Sequence, residues 1–290
     1  MGRMLKSSAS VAISALVLVG WSSPPWKVLA AVSPQMIIAV IGDYGCLSPN
    51  CEGYGGQQEV AVANLVHSWS PDAILTVGDN SYENGTASEI PVDQQPYAAD
   101  VTAGRLYPVA GNHDWGQQCS DPTHIQNSTS YFGKPPHYTA HFGSGLLDFF
   151  ATDMNCAEAD GYTYGSAQAV QYQSDVAAST AVWKVTGSHQ AFYSSGAVGT
   201  LSYTHWGILP AIDLFLSGHD HDSEHLVEGG QHFVVDGAGG AATAPLGPPI
   251  PGSIWSDGQD FAAVRLTVTP SALTVDFISA AGALLHTFTL

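Results

Sequence analysis

The chain has 290 residues, of which 45% are hydrophobic, so it can bury a substantial core and is not intrinsically disordered. Seven Lys and Arg residues stand against 25 Asp and Glu residues, and the formal charge of −18 excludes the basic surface of a protein that coats nucleic acid. An acidic chain repels anions at long range. An anionic ligand would therefore need a local source of positive charge, and a metal ion is the natural candidate.

The first thirty residues predict a secretory signal peptide. Arg3 and Lys6 precede an apolar run over 11–20, and Val28 and Ala30 suit the two positions that a signal peptidase reads. A transmembrane anchor is the alternative, but it needs about 20 continuous apolar residues, and the polar and proline residues of 22–27 end the run. We predict a signal peptide over 1–30, one mature domain over 31–290, and a secreted or periplasmic product with no membrane span.

Four cysteines fit export to an oxidising compartment. Cys46 and Cys51 bracket a short loop, and Cys119 and Cys156 remain. Of the three possible connectivities, the preferred prediction is Cys46–Cys51 with Cys119–Cys156. Metal thiolate ligation is the alternative, but the sequence has no CxxC spacing.

Five short apolar runs, each followed by polar residues, predict strands that are buried on both faces. They cover 36–41, 73–77, 106–110, 181–186 and 211–216. Apolar residues spaced as on one helix face predict a helix over 62–69, and a weaker pattern predicts one over 167–179. After residue 229, further strands are predicted over 231–236, 261–267, 273–278 and 284–290, and we expect them to contribute to a second sheet of the same domain.

The polar residues after the five strands are of the types that hold metals. In layered α/β folds, ligands bind at the carboxyl ends of strands. The residues there are Asp43, Asp79, Tyr82, Asn112, His113, Asp114, His189, His219 and His221. The alternative is that Asp and Asn are there because they favour turns. That preference does not explain the histidines and the tyrosine in equivalent places.

These side chains could form a site for two metal ions about 3.5–4 Å apart, as in phosphoryl hydrolysis. Asp79 can bridge both ions. Asp43, Tyr82 and His221 would complete one half, whose anionic oxygens favour Fe(III). The other half would comprise Asn112, His189 and His219, a neutral set that suits Zn(II), Fe(II) or Mn(II). Because His219 and His221 are two apart on an extended segment, their side chains share a face.

His113 adjoins Asn112 and would lie above the metals. There it could contact phosphate and protonate the leaving alkoxide as a general acid. Asp114 could orient its ring. The alternative is a structural His–Asp pair.

The motifs GDYG, GDNSY, GNHD, SH and GHDH, in this order, resemble those of the calcineurin-like metallophosphoesterase superfamily. Within it the chain is most similar to low-molecular-weight, tartrate-resistant-type purple acid phosphatases, because Gly45 replaces a common metal-binding His and Tyr82 completes GDxxY. The resemblance implies an α/β fold, a four-layer α-β-β-α sandwich with two mixed sheets. It implies Fe(III) ligands Asp43, Asp79, Tyr82 and His221, divalent-metal ligands Asp79, Asn112, His189 and His219, and phosphate contact by His113.

The function that the resemblance implies is that of an exported acid phosphatase. Such enzymes hydrolyse small phosphate monoesters by direct attack of a metal-bound hydroxide at an Fe(III)–M(II) centre. A phosphodiesterase or nucleotidase with the same centre is the main alternative. A non-enzymatic binding protein is another, but it would be expected to lack a ligand, and all seven are present. Neither a nucleic-acid partner nor a particular oligomeric state is predicted.

Overall fold

The computed structural model describes residues 35–48, 51, 56–117 and 122–290. All of them belong to one compact unit, Ser33–Leu290. The predicted Cys46–Cys51 bridge is present. The predicted signal peptide over 1–30 and Cys119 of the predicted Cys119–Cys156 bridge lie outside the described residues. No helix in the described part of the chain is long and apolar enough to cross a bilayer.

Strands account for most of the regular structure. They are β1 (Met36–Ile41), β2 (Ala73–Thr76), β3 (Leu106–Tyr107), β4 (Tyr138–Phe142), β5 (Leu147–Ala151), β6 (Trp183–Gly187), β7 (Leu214–Ser217), β8 (Ser223–Glu228), β9 (Gln231–Asp236), β10 (Ser253–Asp257), β11 (Ala262–Thr269), β12 (Ala272–Ser279) and β13 (Leu284–Thr289). The α-helices are α1 (Gln57–Ser68), α2 (Ile90–Asp93), α3 (Ala98–Thr102), α4 (Thr123–Phe132) and α5 (Ala167–Ala178), with 3-10 turns at Gln95–Tyr97 and Ser202–Gly207.

The first sheet has the order β13-β12-β11-β1-β2-β3. Strands β1, β2 and β3 are parallel, whereas β11 runs antiparallel to β1, with Leu266 opposite Ile38. The prediction that the strands over 261–290 contribute to a second sheet is therefore wrong. They extend the sheet of β1, because the alternating buried residues of β11 continue the core that β1 begins.

The second sheet has the order β10-β8-β9-β7-β6-β5-β4 and is also mixed. Strands β5, β6, β7 and β9 are parallel, and antiparallel strands flank them. Four of its strands, β4, β5, β8 and β10, were not predicted. The predicted strand over 231–236 is present as β9.

The two sheets pack face to face, and a helix covers the outer face of each. Alternate residues of one strand serve two different cores: Phe149 of β5 lies in the core between the sheets, and Phe150 packs against the α5 side. On the first sheet, Val62 of α1 packs with Ile41 of β1. The predicted four-layer α-β-β-α sandwich is confirmed. Because such strands are buried on both faces, their sequences are continuous apolar runs.

The layering brings loops from both sheets to one edge. The amide of Asp43, after β1, donates to the carbonyl of Gly78, after β2, at 3.0 Å. The amide of His219, after β7 in the other sheet, donates to Asp43 Oδ2 at 2.9 Å. Residues at the ends of strands in different sheets therefore meet in one place.

Candidate metal centre

Three of the predicted ligands have left-handed backbone conformations. The φ angles are 53° at Asp43, 50° at Asp79 and 72° at His219. Such angles are uncommon for residues other than glycine, although Asp and His tolerate them better than most. Backbone strain of this kind is concentrated at functional sites, where the surrounding structure holds it in place. Here the three strained residues supply two carboxylates and an imidazole to one cluster.

The glycines beside these residues leave space for the ligands. A Cβ added to Gly111 would lie 2.1 Å from Asp79 Oδ1, and one added to Gly218 would lie 2.3 Å from Asp43 Oδ2. Both distances are far inside van der Waals contact. These two positions are thus filled by carboxylates that reach in from other strands.

The first predicted half-site is assembled around the Tyr82 hydroxyl. Tyr82 Oη lies 3.1 Å from each of Asp43 Oδ1, Asp79 Oδ2 and His221 Nε2. His221 Nε2 is also 3.3 Å from Asp43 Oδ1. The two carboxylates and the tyrosine are fully buried. The structure therefore brings all four residues of this half together.

The second half-site is centred on His189. Its Nε2 atom lies 3.3 Å from Asp79 Oδ2, 3.0 Å from Asn112 Oδ1 and 3.1 Å from His219 Nδ1. One ligand atom each from Asp79, His189 and His219 lies within 4.8 Å of the others. Asp79 is common to both halves, as expected of a bridging carboxylate.

Backbone carbonyls orient two of the imidazoles. His189 Nδ1 lies 2.9 Å from the carbonyl oxygen of Val77, and His221 Nδ1 lies 2.8 Å from that of Ala242. Each ring donates its Nδ1–H to the carbonyl, so its Nε2 is directed at the carboxylates. Metal-binding histidines are usually held in this way. The donor set of carboxylates, imidazoles, an amide and a phenol thus fits a pair of transition-metal ions.

Positive charge stabilises the buried carboxylates of the cluster. Burial would raise the pKa of Asp79, but the imidazoles of His189 and His113 hold it well below its usual range. Burial opposes a charge on His189, yet Asp79 and Asp43 raise its pKa to about 10. Burial likewise opposes a charge on His221, and Asp43 raises its pKa to about 9. The buried carboxylates are thus paired with histidinium ions, whose protons cations could replace.

The surroundings of Tyr82 disfavour the ionised form of its hydroxyl. Burial raises its pKa well above its ordinary value, and the negative charges of Asp79 and Asp43 raise it further. A phenolate at this position would require a strong cation beside it.

His113 lies at the margin of the cluster. Its ring packs on that of Tyr82 with centroids 4.2 Å apart, and its Nε2 is 3.8 Å from Asp79 Oδ2. Its Nδ1 is 2.6 Å from the carbonyl oxygen of Glu83. That carbonyl accepts a hydrogen bond from Nδ1–H, so Nε2 faces the cluster.

Asp114 has hydrogen-bond partners other than the expected one, the ring of His113. Its Oδ2 accepts hydrogen bonds from the Gly111 amide and from Asn80 Nδ2, both at 2.8 Å. The ring nitrogen of His113 bonds instead to the backbone carbonyl of Glu83, so the expectation that Asp114 orients that ring is corrected. Burial, and then the charge of Asp79, raise the pKa of Asp114 to about 7. Its carboxyl ties the loop after β3 to the loop after β2.

Sequence reasoning missed Asn80. Its Nδ2 also donates to the carbonyl oxygen of Val109 at 2.7 Å, and its Oδ1 accepts from Thr76 Oγ1 at 2.6 Å. It is therefore a buried connector between β2 and the loop after β3. The sequence feature that could have identified Asn80 is its position directly after the proposed ligand Asp79.

Comparisons with known proteins agree with this architecture. Residues 36–223 match the calcineurin-like phosphoesterase family. Purple acid phosphatase 17 of Arabidopsis thaliana is 27% identical, and purple acid phosphatase 7 of the same plant is 26% identical. These alignments cover 85% of this chain and 82% and 83% of the relatives.

Two solved structures share the fold. Purple acid phosphatase PPD1 from yellow lupin seeds superposes with a TM-score of 0.68 at 17% identity, covering 89% of this chain and 54% of the lupin chain. GAP50, described as the anchor in the inner membrane complex of Plasmodium, gives 0.67 at 19% identity and 88% coverage of both chains. Proteins with one fold can have different functions, so the function of this chain has to be inferred from the side chains of the cluster.

Proposed function

Because the chain belongs to the calcineurin-like phosphoesterase family, we propose that it is an exported, metal-dependent acid phosphatase that hydrolyses small phosphate monoesters. The convergence of seven polar side chains from loops of both sheets carries the proposal. Similarity to the Arabidopsis purple acid phosphatases supports it. Residues 1–30 would be the signal peptide, and residues 31–290 the catalytic domain.

Asp43, Asp79, Tyr82 and His221 would hold Fe(III). The divalent Fe, Zn or Mn ion would be held by Asp79, Asn112, His189 and His219. When bound, two such ions supply the positive charge that polarises a phosphoryl group and activates water near neutral pH. The paired arrangement of Asp79 with both half-sites supports this assignment.

His113 would act as the general acid. The carbonyl of Glu83 fixes its ring, so the Nε2 atom is presented to the cluster at its part-buried margin. From there Nε2 can contact a phosphate oxygen and deliver a proton to the leaving alkoxide. Asp114 would be a positioning residue, acting through its bonds to Asn80 and Gly111.

The test combines metal content with turnover. We expect purified protein to contain iron and to hydrolyse 4-nitrophenyl phosphate faster than bis(4-nitrophenyl) phosphate, most rapidly at acid pH. Asp79→Asn should lose metal and activity together, because one ligand serves both half-sites. Asp260→Asn, at an exposed carboxylate outside the cluster, is the matched control. A metal-free protein that retains full turnover would refute the proposal, and faster turnover of the diester would favour the phosphodiesterase alternative.

A further inference from the structure

A cavity of about 430 Å³ lies beside the proposed metal centre. Two of the proposed ligands, Asn112 and His219, form part of its wall. The rest of the wall includes Met154, Tyr162, Gln190 and Tyr203. A phosphoryl group held at the metal centre would therefore have room for its organic substituent in this cavity.

The wall of the cavity has almost no formal charge. Apart from His219, the described residues that line it are neutral: none is Lys, Arg, Asp or Glu. The whole chain carries a charge of −18. A leaving group that bears its own negative charges would find no counter-charge in this wall and would be repelled at long range. The cavity therefore favours a leaving group without charge.

Aromatic and thioether groups suggest what that leaving group is. The rings of Tyr162 and Tyr203 meet edge to face, with centroids 5.8 Å apart and planes at 89°. Tyr203 remains 41% exposed, so its ring retains surface for a ligand. The buried Met154 lines the same cavity. Tyrosine rings and methionine sulfur both pack well against planar aromatic groups.

The wall also contains a buried amide side chain. Gln190 is only 5% exposed, and its Oε1 has no hydrogen-bond partner among the described residues. Leaving a buried amide oxygen unpaired is unfavourable.

We propose that this cavity is a leaving-group subsite for neutral aromatic alcohols, so that the preferred substrates are aryl phosphates rather than nucleotides or other polyanionic esters. This proposal rests on the proposed function for the hydrolytic step. Tyr162 and Tyr203 would determine specificity by packing against the ring.

Binding of unreactive probes tests the subsite without turnover. Phenylphosphonate and methylphosphonate share the phosphonate group, but only the first has an aromatic ring. The ratio of their dissociation constants therefore measures how much the contacts between the ring and the cavity contribute to binding. In calorimetric titrations of the metal-loaded protein, wild type should favour phenylphosphonate. Tyr203→Ala should reduce that ratio roughly 3- to 10-fold, as expected for loss of an aromatic contact, and Tyr203→Phe should preserve it. Tyr164→Ala is the matched control, because Tyr164 is 79% exposed and is not part of the wall.

Two outcomes would overturn the subsite: equal affinity of wild type for both phosphonates, or an unchanged ratio in Tyr203→Ala. A wild type that turns over ATP with a higher kcat/KM than phenyl phosphate would also overturn it. If no monoester is hydrolysed but the phosphonate ratio depends on Tyr203, the proposed function fails while the aromatic subsite stands.

Discussion

Replacing Gly111 by Ala should disable the proposed metal centre while leaving the fold intact. The new Cβ would lie 2.1 Å from Asp79 Oδ1 and 2.3 Å from the Asp79 backbone nitrogen. The carboxylate would have to retreat by about 1.3 Å to reach the 3.4 Å at which ordinary contact begins. The backbone nitrogen cannot yield as a flexible side chain would, so the loop after β2 must move as well.

The displacement should reduce kcat more than it reduces stability. A misplacement of about 1 Å can cost on the order of 10²-fold in rate, whereas overpacking of this kind costs about 1–3 kcal/mol of unfolding free energy. Turnover of 4-nitrophenyl phosphate, metal content by elemental analysis and thermal unfolding should be measured on one preparation. We expect a large loss of turnover and metal with a small decrease in Tm.

Gly104→Ala is the matched control. Its φ of 67° makes Ala unfavourable there, but an added Cβ meets nothing within 4 Å. It should therefore lower Tm modestly and leave kcat and metal content unchanged. If Gly111→Ala keeps wild-type metal content and a kcat within about twofold of wild type, Asp79 is not the shared ligand that the geometry indicates.

Three further changes address the iron, the acid and the pH dependence of stability. Tyr82→Phe should abolish the visible phenolate-to-iron absorption of iron-loaded protein, because the Tyr82 hydroxyl lies 3.1 Å from both proposed carboxylate ligands; an unchanged spectrum would contradict this. His113→Ala should slow esters of poorly acidic alcohols by about 10²-fold or more and activated aryl esters much less, and equal losses in steady-state assays would instead indicate a binding role. Burial, then the charges of His232 and His286, lower the pKa of His225 to about 3. In the unfolded chain the imidazole of residue 225 is protonated below about pH 6.5, whereas in the folded chain it stays neutral down to about pH 3. The free energy of unfolding should therefore decrease as the pH falls from about 6.5 toward 3. Thermal unfolding of His225→Phe should show a shallower decline, and parallel curves would exclude His225 as a cause.

The amino-acid sequence alone was enough to predict several of the strands and helices and to propose the ligand set. The apolar runs 36–41 and 73–77 predicted strands β1 and β2, which are buried on both faces. A continuous apolar run of this kind can be recognised without knowing which strand pairs with it. Asp43 and Asp79 follow those strands directly, and ligands gather at strand ends in such folds. The ligand set could therefore be proposed before any contact was known.

Tertiary structure decided how these pieces combine. Strand β11 pairs with β1 although more than 200 residues separate them, and no local pattern distinguishes that pairing from pairing within another sheet. The partner of His113 is a backbone carbonyl 30 residues away, which sequence does not mark because every residue has one. The walls of the cavity beside the metal centre likewise come from separate loops. Local sequence specifies which groups follow a strand, whereas packing between distant segments sets the distances and directions on which binding and catalysis depend.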